Sequence, residues 1–305
     1  MANLAEANRD HFNKTASEYA NHPLAAIMNP KITDGLRQHI DWLNFTKTEP
    51  ATQDKHGNDR HGRQIRVLDY ACGLGLVSHA LAPYTDSLRG VDVSSGMVDA
   101  YNADAITELD GRKIQMSAVA GNMFQETSPT PPSTDLDYAA DTFDLAVISM
   151  ALHHVEDPAL GVKRLAERVK PGSGVVCVLD LLAAGSAPKP VGEDEADAAA
   201  KTSQPLEDAV RNMDNADDVF KVVQSLHGFS EQDMRAHFEA AGCGEDFKFV
   251  VLPGEVVFSG LGGSSHNGHG HGHHHGNDET GHDKGHHLPG SFYVFMCRGT
   301  RKAAL

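Results

Sequence analysis

Between Ile65 and Leu182 five short apolar runs alternate with stretches of helical character, and this alternation limits the possible folds more than any other feature. The runs are IRVLDY (65–70), LRGVDV (88–93), IQMSAVA (114–120), FDLAVISM (143–150) and GVVCVLDLL (174–182). Strands separated by helices are βα units, and βα units build a parallel sheet with helices on both faces. Two later stretches, FKFVVLP with GEVVFSG over 247–258 and SFYVFMCRG over 291–299, are strand-like too. They are predicted to close the sheet as an antiparallel pair, giving an α/β fold of seven strands.

The flanking segments divide the chain further. Residues 1 to about 44 have helical spacing, with Leu36, Ile40 and Leu43 on one face and Trp42 beside them; 45–63 are polar and broken by Pro50 and Gly57. The expected units are an N-terminal helical cover and linker at 1–63, a core at 64–183, an acidic linker and helical lid at 184–244, and closing strands at 245–305. Within the lid, two helices are expected over 205–241, the second opening at Ser230 with Asp233 three residues on. A Gly/His-rich insert at 262–288 offers too little apolar area to offset ordering and is expected to be disordered. Its nine histidines between His266 and His287 suit soft divalent metals, but their spacing fixes no geometry, so no metal site is expected.

Composition excludes several classes of partner. The chain has 305 residues and a net charge of −16, which argues against nucleic acid or an anionic membrane. Four scattered cysteines provide no disulfide framework, and no apolar run approaches membrane-spanning length. A cytoplasmic protein is the expectation; oligomeric state is not legible.

The chemistry concentrates in VLDYACGLGLVSHALAPY, residues 67–84. A strand ends at Asp69, a turn carries Gly73 and Gly75, and a helix follows. Two glycines one residue apart let a nucleotide-like ligand approach the backbone, and Asp92, ending the second strand, can accept both hydroxyls of a ribose. A dinucleotide site wants a third glycine, where this chain has Ser78, and Asp69 is a poor neighbour for a diphosphate. It suits a cationic ligand instead. Either acid also fits a strand-end residue or helix cap.

In this order, VLDYACGLG, GVDVSSGM, AGNMF (120–124), FDLAVISMALHHVEDP (143–158) and RLAERVKPGSGVVCVLD (164–180) resemble a class I S-adenosylmethionine-dependent methyltransferase, in the small-molecule branch that includes quinone-biosynthesis enzymes. The resemblance implies a Rossmann-like sheet, S-adenosylmethionine as cofactor and a small-molecule methyl acceptor. It also implies that Gly73 and Gly75 line the methionine part, with Asp69 near its amino group. Asp92 would hold the ribose, Met97 pack near the adenosine, and Asn122 offer its amide to the adenine amino group, with Met123 beside the ring. Tyr19 sits where such enzymes often place an N-terminal tyrosine. Met97 equally fits the core, Asn122 a turn, and Tyr19 ordinary packing.

His153 and His154 follow the fourth strand, where an acceptor would meet the methyl group, and His227 resembles a lid position. All three are candidate catalytic bases, although the histidine pair also fits a loop-shaping role before an Asp157 cap and Pro158. A nicotinamide-dependent oxidoreductase shares the sheet and Asp92, and a non-catalytic cofactor- or metal-binding protein remains a third class. Asp92, as a cleft acid, is expected to contribute to binding and little to stability.

Overall fold

The computed structural model describes residues 4–45, 64–125, 129–132, 134–186, 204–205, 221–224, 227–258 and 290–303. Its centre is a seven-stranded sheet. The strands are β1 (Arg66–Tyr70), β2 (Ser87–Asp92), β3 (Gln115–Ala120), β4 (Leu145–Ser149), β5 (Val175–Leu181), β6 (Lys248–Val251) and β7 (Val294–Thr300). Their spatial order is β3-β2-β1-β4-β5-β7-β6. The first five are parallel, while β7 runs antiparallel to β5 and β6 antiparallel to β7. This is the Rossmann-like arrangement expected from the sequence.

Burial follows position in the sheet. All seven residues of β5 are buried, as a near-continuous apolar run requires when helices cover both faces. The edge strand β3 instead varies between buried and exposed positions. The helices are α1 (Leu4–Tyr19), α2 (Pro23–Gln38), α3 (Leu76–Leu81), α4 (Ser95–Ala103), α5 (Pro158–Ala166) and α6 (Glu231–Ala240). Local signals start three of them: Ser94 caps α4 through Met97 N–H, Asp157 caps α5 with Pro158 at its first position, and Ser230 with Asp233 forms a reciprocal box on α6.

One expectation is corrected. The stretch 247–258 does not stay in the main sheet: Val256–Phe258 pairs instead with Gly290–Phe292, which also pairs with Gln204–Pro205. The chain turns at Pro253-Gly254, where Gly254 has φ +81 and the Lys31 ammonium of α2 donates to both carbonyls. That turn redirects the strand away from β7. The linker over 46–63, the first lid helix for most of its length and the 262–288 insert lie outside the described residues. Among the described residues no helix is long and apolar enough to cross a membrane.

Helices α1 and α2 arch over the carboxyl ends of the strands. Asn13 of α1 accepts hydrogen bonds at Oδ1 from Ser94 Oγ (2.8 Å) and Gly96 N (3.1 Å), pinning α1 to the start of α4. A β-carbon on Gly96 would lie 3.2 Å from Ala16 Cβ, so the two helices meet closely there.

Candidate active site

β1 lies between β2 and β4, so the chain reverses its winding direction there. In open α/β sheets that switch point leaves a crevice at the carboxyl strand ends. Here the crevice is a cleft of 1380 Å³ running from Gly73 and Asp92 to His153 and His154, with Phe12 and Tyr19 of α1 opposite. Single small-molecule sites occupy about 300–1,000 Å³, so this one has room for two ligands side by side.

The glycine turn is held by Asp92. Its Oδ2 accepts from Gly73 N–H and its Oδ1 from Ser94 N–H, both at 2.9 Å. Each oxygen keeps a second lone pair, which matches two ribose hydroxyls. Asp92 is only 7% exposed, and burial raises its pKa against the pull of these N–H groups. The carboxylate thus ties the turn to the start of α4, which weighs against the expectation that it matters little for stability. Gly73, at φ +49, lines the cleft, and a β-carbon there would meet nothing within 4 Å. Gly75, at φ +90, does not line it. A β-carbon at Gly75 would stand 3.0 Å from the Tyr101 ring, so this glycine serves helix packing.

Asp69 lines the cleft but is 1% exposed, and its Oδ2 accepts from Ser78 N–H (3.1 Å) and Ser78 Oγ–H (2.7 Å). Tyr101 O–H donates in turn to Ser78 Oγ at 2.8 Å. Ser78, standing where a third glycine would be, thus anchors a strand-end acid. Burial pushes the Asp69 carboxyl up to about 7, a value that a neighbouring ammonium would lower.

Asn122, expected near the adenine, lines the cleft after β3. Asn122 Oδ1 already accepts from Tyr70 O–H (3.1 Å) and Phe124 N–H (3.0 Å). Because a backbone N–H only donates, the carbonyl end is fixed there, and the amide presents NH₂ to the cleft. An NH₂ group can donate to a ring nitrogen but cannot accept from an exocyclic amine. Met123 is fully buried among core residues and does not line the cleft; Phe124 does, stacked on Tyr70 with centroids 4.0 Å apart. Met97 lines the cleft as expected. Tyr19 ends α1 at the rim with 44% of its surface exposed, while desolvation and then the Asp92 charge raise its phenol pKa.

At the other end, His153 Nδ1 sits 2.6 Å from Asp180 Oδ1. Asp180, next to last in β5, is 0% exposed and also accepts from the N–H groups of Leu152, His153 and Leu181. His154 Nδ1 donates to the Val222 carbonyl, and burial followed by the neighbouring His153 holds its pKa down at about 3. His227 is exposed and absent from the cleft wall. Asn8 of α1 is 5% exposed and lines the cleft, with Nδ2 donating to the Leu4 and His154 carbonyls. Asp180 and Asn8 escaped the sequence analysis. An acid within the otherwise apolar GVVCVLDLL was a signal for the first; nothing local marked the second.

The fold and this cleft are those of a class I methyltransferase. A family model described as a methyltransferase domain matches residues 41–244, and the chain belongs to that family. It is 32% identical over 203 residues to a protein of Schizosaccharomyces pombe named an uncharacterized methyltransferase, covering 61% of this chain and 68% of that one. A ubiquinone/menaquinone biosynthesis C-methyltransferase of Geotalea daltonii is 32% identical over 114 residues, 36% of this chain and 43% of its own length. A ubiquinone biosynthesis O-methyltransferase of Idiomarina loihiensis is 29% identical over 110 residues, 36% and 40%. The chain thus spans less than half of those two quinone-pathway relatives. Among solved structures, magnesium protoporphyrin IX methyltransferase from Synechocystis with bound cofactor aligns over 98% of both chains at 13% identity and TM-score 0.49. The protein is an S-adenosylmethionine-dependent methyltransferase, and the oxidoreductase alternative falls.

Proposed function

We propose that the cleft binds S-adenosylmethionine along its Asp69–Asp92–Asn122 side and a small-molecule acceptor toward His153, beneath α1 and α2. The observation that carries this reading is Asp92, whose two oxygens each hold one backbone N–H and keep a lone pair facing a two-ligand cleft. S-adenosylmethionine supplies a methyl group on a sulfonium, already electrophilic and needing no acid or metal to leave. What the chain supplies is alignment and exclusion of water, which are worth several kcal/mol in such displacements. Asp69 would face the cofactor's ammonium, Tyr19 would cover it, and Asn122 would donate to the adenine ring.

The reading extends to a cytoplasmic enzyme without a nucleic-acid partner, in keeping with the net charge of −16. It also divides the chain into the cover (1–63), cofactor core (64–183), lid (184–244) and closing strands (245–305). Calorimetric titration with S-adenosylmethionine tests it: one binding site is expected, weakened by Asp92→Asn, and absence of binding would end the proposal.

A further inference from the structure

We propose that cofactor binding is coupled to the release of one proton: the cofactor's ammonium replaces a proton on Asp69 Oδ1, and Ser78, braced by Tyr101, is the positioning residue that puts this proton on the cleft side of the carboxyl. The proposal rests on the reading of the cleft given above and adds to it a dependence of cofactor binding on pH.

Both donors of Ser78 fall on one oxygen. Its N–H (3.1 Å) and its Oγ–H (2.7 Å) reach Asp69 Oδ2, while Tyr101 O–H donates to Ser78 Oγ at 2.8 Å and so commits the serine hydrogen to Asp69. A glycine at this position would offer only the N–H. With both lone pairs of Oδ2 taken, the acid proton belongs on Oδ1. That oxygen accepts no hydrogen bond among the described residues, and it retains contact with the cleft that Asp69 lines. Proton and ammonium therefore compete for the same atom.

The surroundings favour the neutral acid until a cation arrives. Asp69 is 1% exposed, and the Asp92 carboxylate of β2 faces it. Its other titratable neighbours, Cys72 of the turn and Tyr101 of α4, are held neutral by burial and bring no compensating charge. Burial, opposed by the Ser78 hydrogen bonds and aided by Asp92, pushes the carboxyl up to about 7. When the ammonium approaches, the Oδ1–H bond breaks and the proton leaves to water. The electron pair stays on Oδ1 and accepts an N–H of the ammonium, whose charge then holds the carboxylate ionised. Below about pH 7 the free protein must shed this proton, so cofactor affinity rises with pH and levels off above it.

The test is calorimetry of the full chain with two probes: S-adenosylhomocysteine, which carries the ammonium, and methylthioadenosine, which keeps the ribose but lacks the ammonium. Titrations in buffers of differing ionisation enthalpy count the protons released. S-adenosylhomocysteine is expected to release nearly one proton per site at about pH 6 and only about a tenth at about pH 8, with affinity rising roughly ten-fold between about pH 5 and 6. Methylthioadenosine should release none. Release with both probes would assign the proton to a group facing the ribose, such as Asp92, and would overturn the proposal; release with neither would do the same. Asp69→Asn should abolish the release and flatten the profile, and a variant that still releases the proton would also sink it. Ser78→Ala removes a hydroxyl that favours the carboxylate, so its affinity limb should move to higher pH, and Tyr101→Phe should move it the same way by less. A Ser78 of merely structural role would lower the melting temperature and leave the limb in place, which would overturn the positioning part. If the cofactor reading itself fails, S-adenosylhomocysteine will bind at no pH, whereas failure of this proposal alone leaves that binding intact.

Discussion

The floor of the cleft and its roof are built by different means. The floor is the carboxyl edge of the sheet, where Asp69, Asp92 and Asp180 end three strands and each is buried and bound by nearby N–H groups. The roof is α1 and α2: α1 is held by long-range polar contacts such as Asn13 on Ser94 and Gly96, and Asn8 on His154, whereas α2 buries Met28, Ile32 and Leu36 in the core. On the reading proposed above, floor residues therefore combine fold stability with ligand binding. Residues of α1 face the cleft from outside the sheet, so their loss is expected to leave the sheet intact.

The sharpest way to break this comparison is Asp92→Ala. It removes a charged acceptor from two hydroxyls, so S-adenosylmethionine affinity should fall roughly ten- to a hundred-fold. It also strands Gly73 N–H and Ser94 N–H, at about 1–3 kcal/mol for each group left unsatisfied, so the melting temperature should fall as well. Weakened binding with unchanged stability would show that floor and core are separable after all.

Next in size is a pH effect from Asp69. Its carboxyl titrates at about 7 in the folded chain against roughly 3.9 when unfolded, so the folded state binds the extra proton in between. The stability this group contributes is present in full below about pH 4 and lost as pH rises through about 7. Urea midpoints measured between about pH 4 and 8 should decline across that window in the wild type, and Asp69→Asn should decline less. Equal slopes would mean that Asp69 is not the group responsible.

The two turn glycines offer a finer contrast. Gly75→Ala puts a β-carbon 3.0 Å from the Tyr101 ring at φ +90 and should cost about 1–3 kcal/mol in chemical denaturation. Gly73→Ala, at φ +49 with open space around it, should cost only about 1 kcal/mol but weaken the cofactor, because the new methyl group points into unoccupied volume beside the binding turn.

The smallest effect belongs to the roof. Asn13→Ala should cost about 1 kcal/mol or less globally, yet speed proteolytic cleavage within α1 and raise KM for the cofactor a few-fold. A loss of stability as large as that of Asp92→Ala would erase the distinction between roof and floor.

Much of the floor was legible because its parts are close in sequence. The strand, glycine turn and helix over 67–84, and the acid at 92, are one βα unit and the strand after it, whose geometry follows from local pattern. The capping signals at Ser94, Asp157 and Ser230 were local too. Met123 lies in the core and Phe124 lines the cleft instead, because a one-residue shift of phase in the turn after β3 exchanges a cleft residue for a core residue. Gly75 failed because its constraint comes from Tyr101, a residue 26 positions away.

Periodicity, the glycine turn and the strand-end acids pointed by themselves to a seven-stranded α/β sheet with a nucleotide-like site at Asp92, and the resemblance of the ordered motifs added the methyltransferase. Only the tertiary structure decided which way Asn122 faces, that β5 brings Asp180 to His153, that Asn8 reaches the His154 carbonyl, and that the chain leaves the sheet after Leu252. The physical reason is range. Hydrophobic pattern and capping act within one or two turns of chain, whereas a side chain 27 or 146 residues from its partner, as with His153 and Asp180 or Asn8 and His154, meets it only after the sheet has set the distance between them.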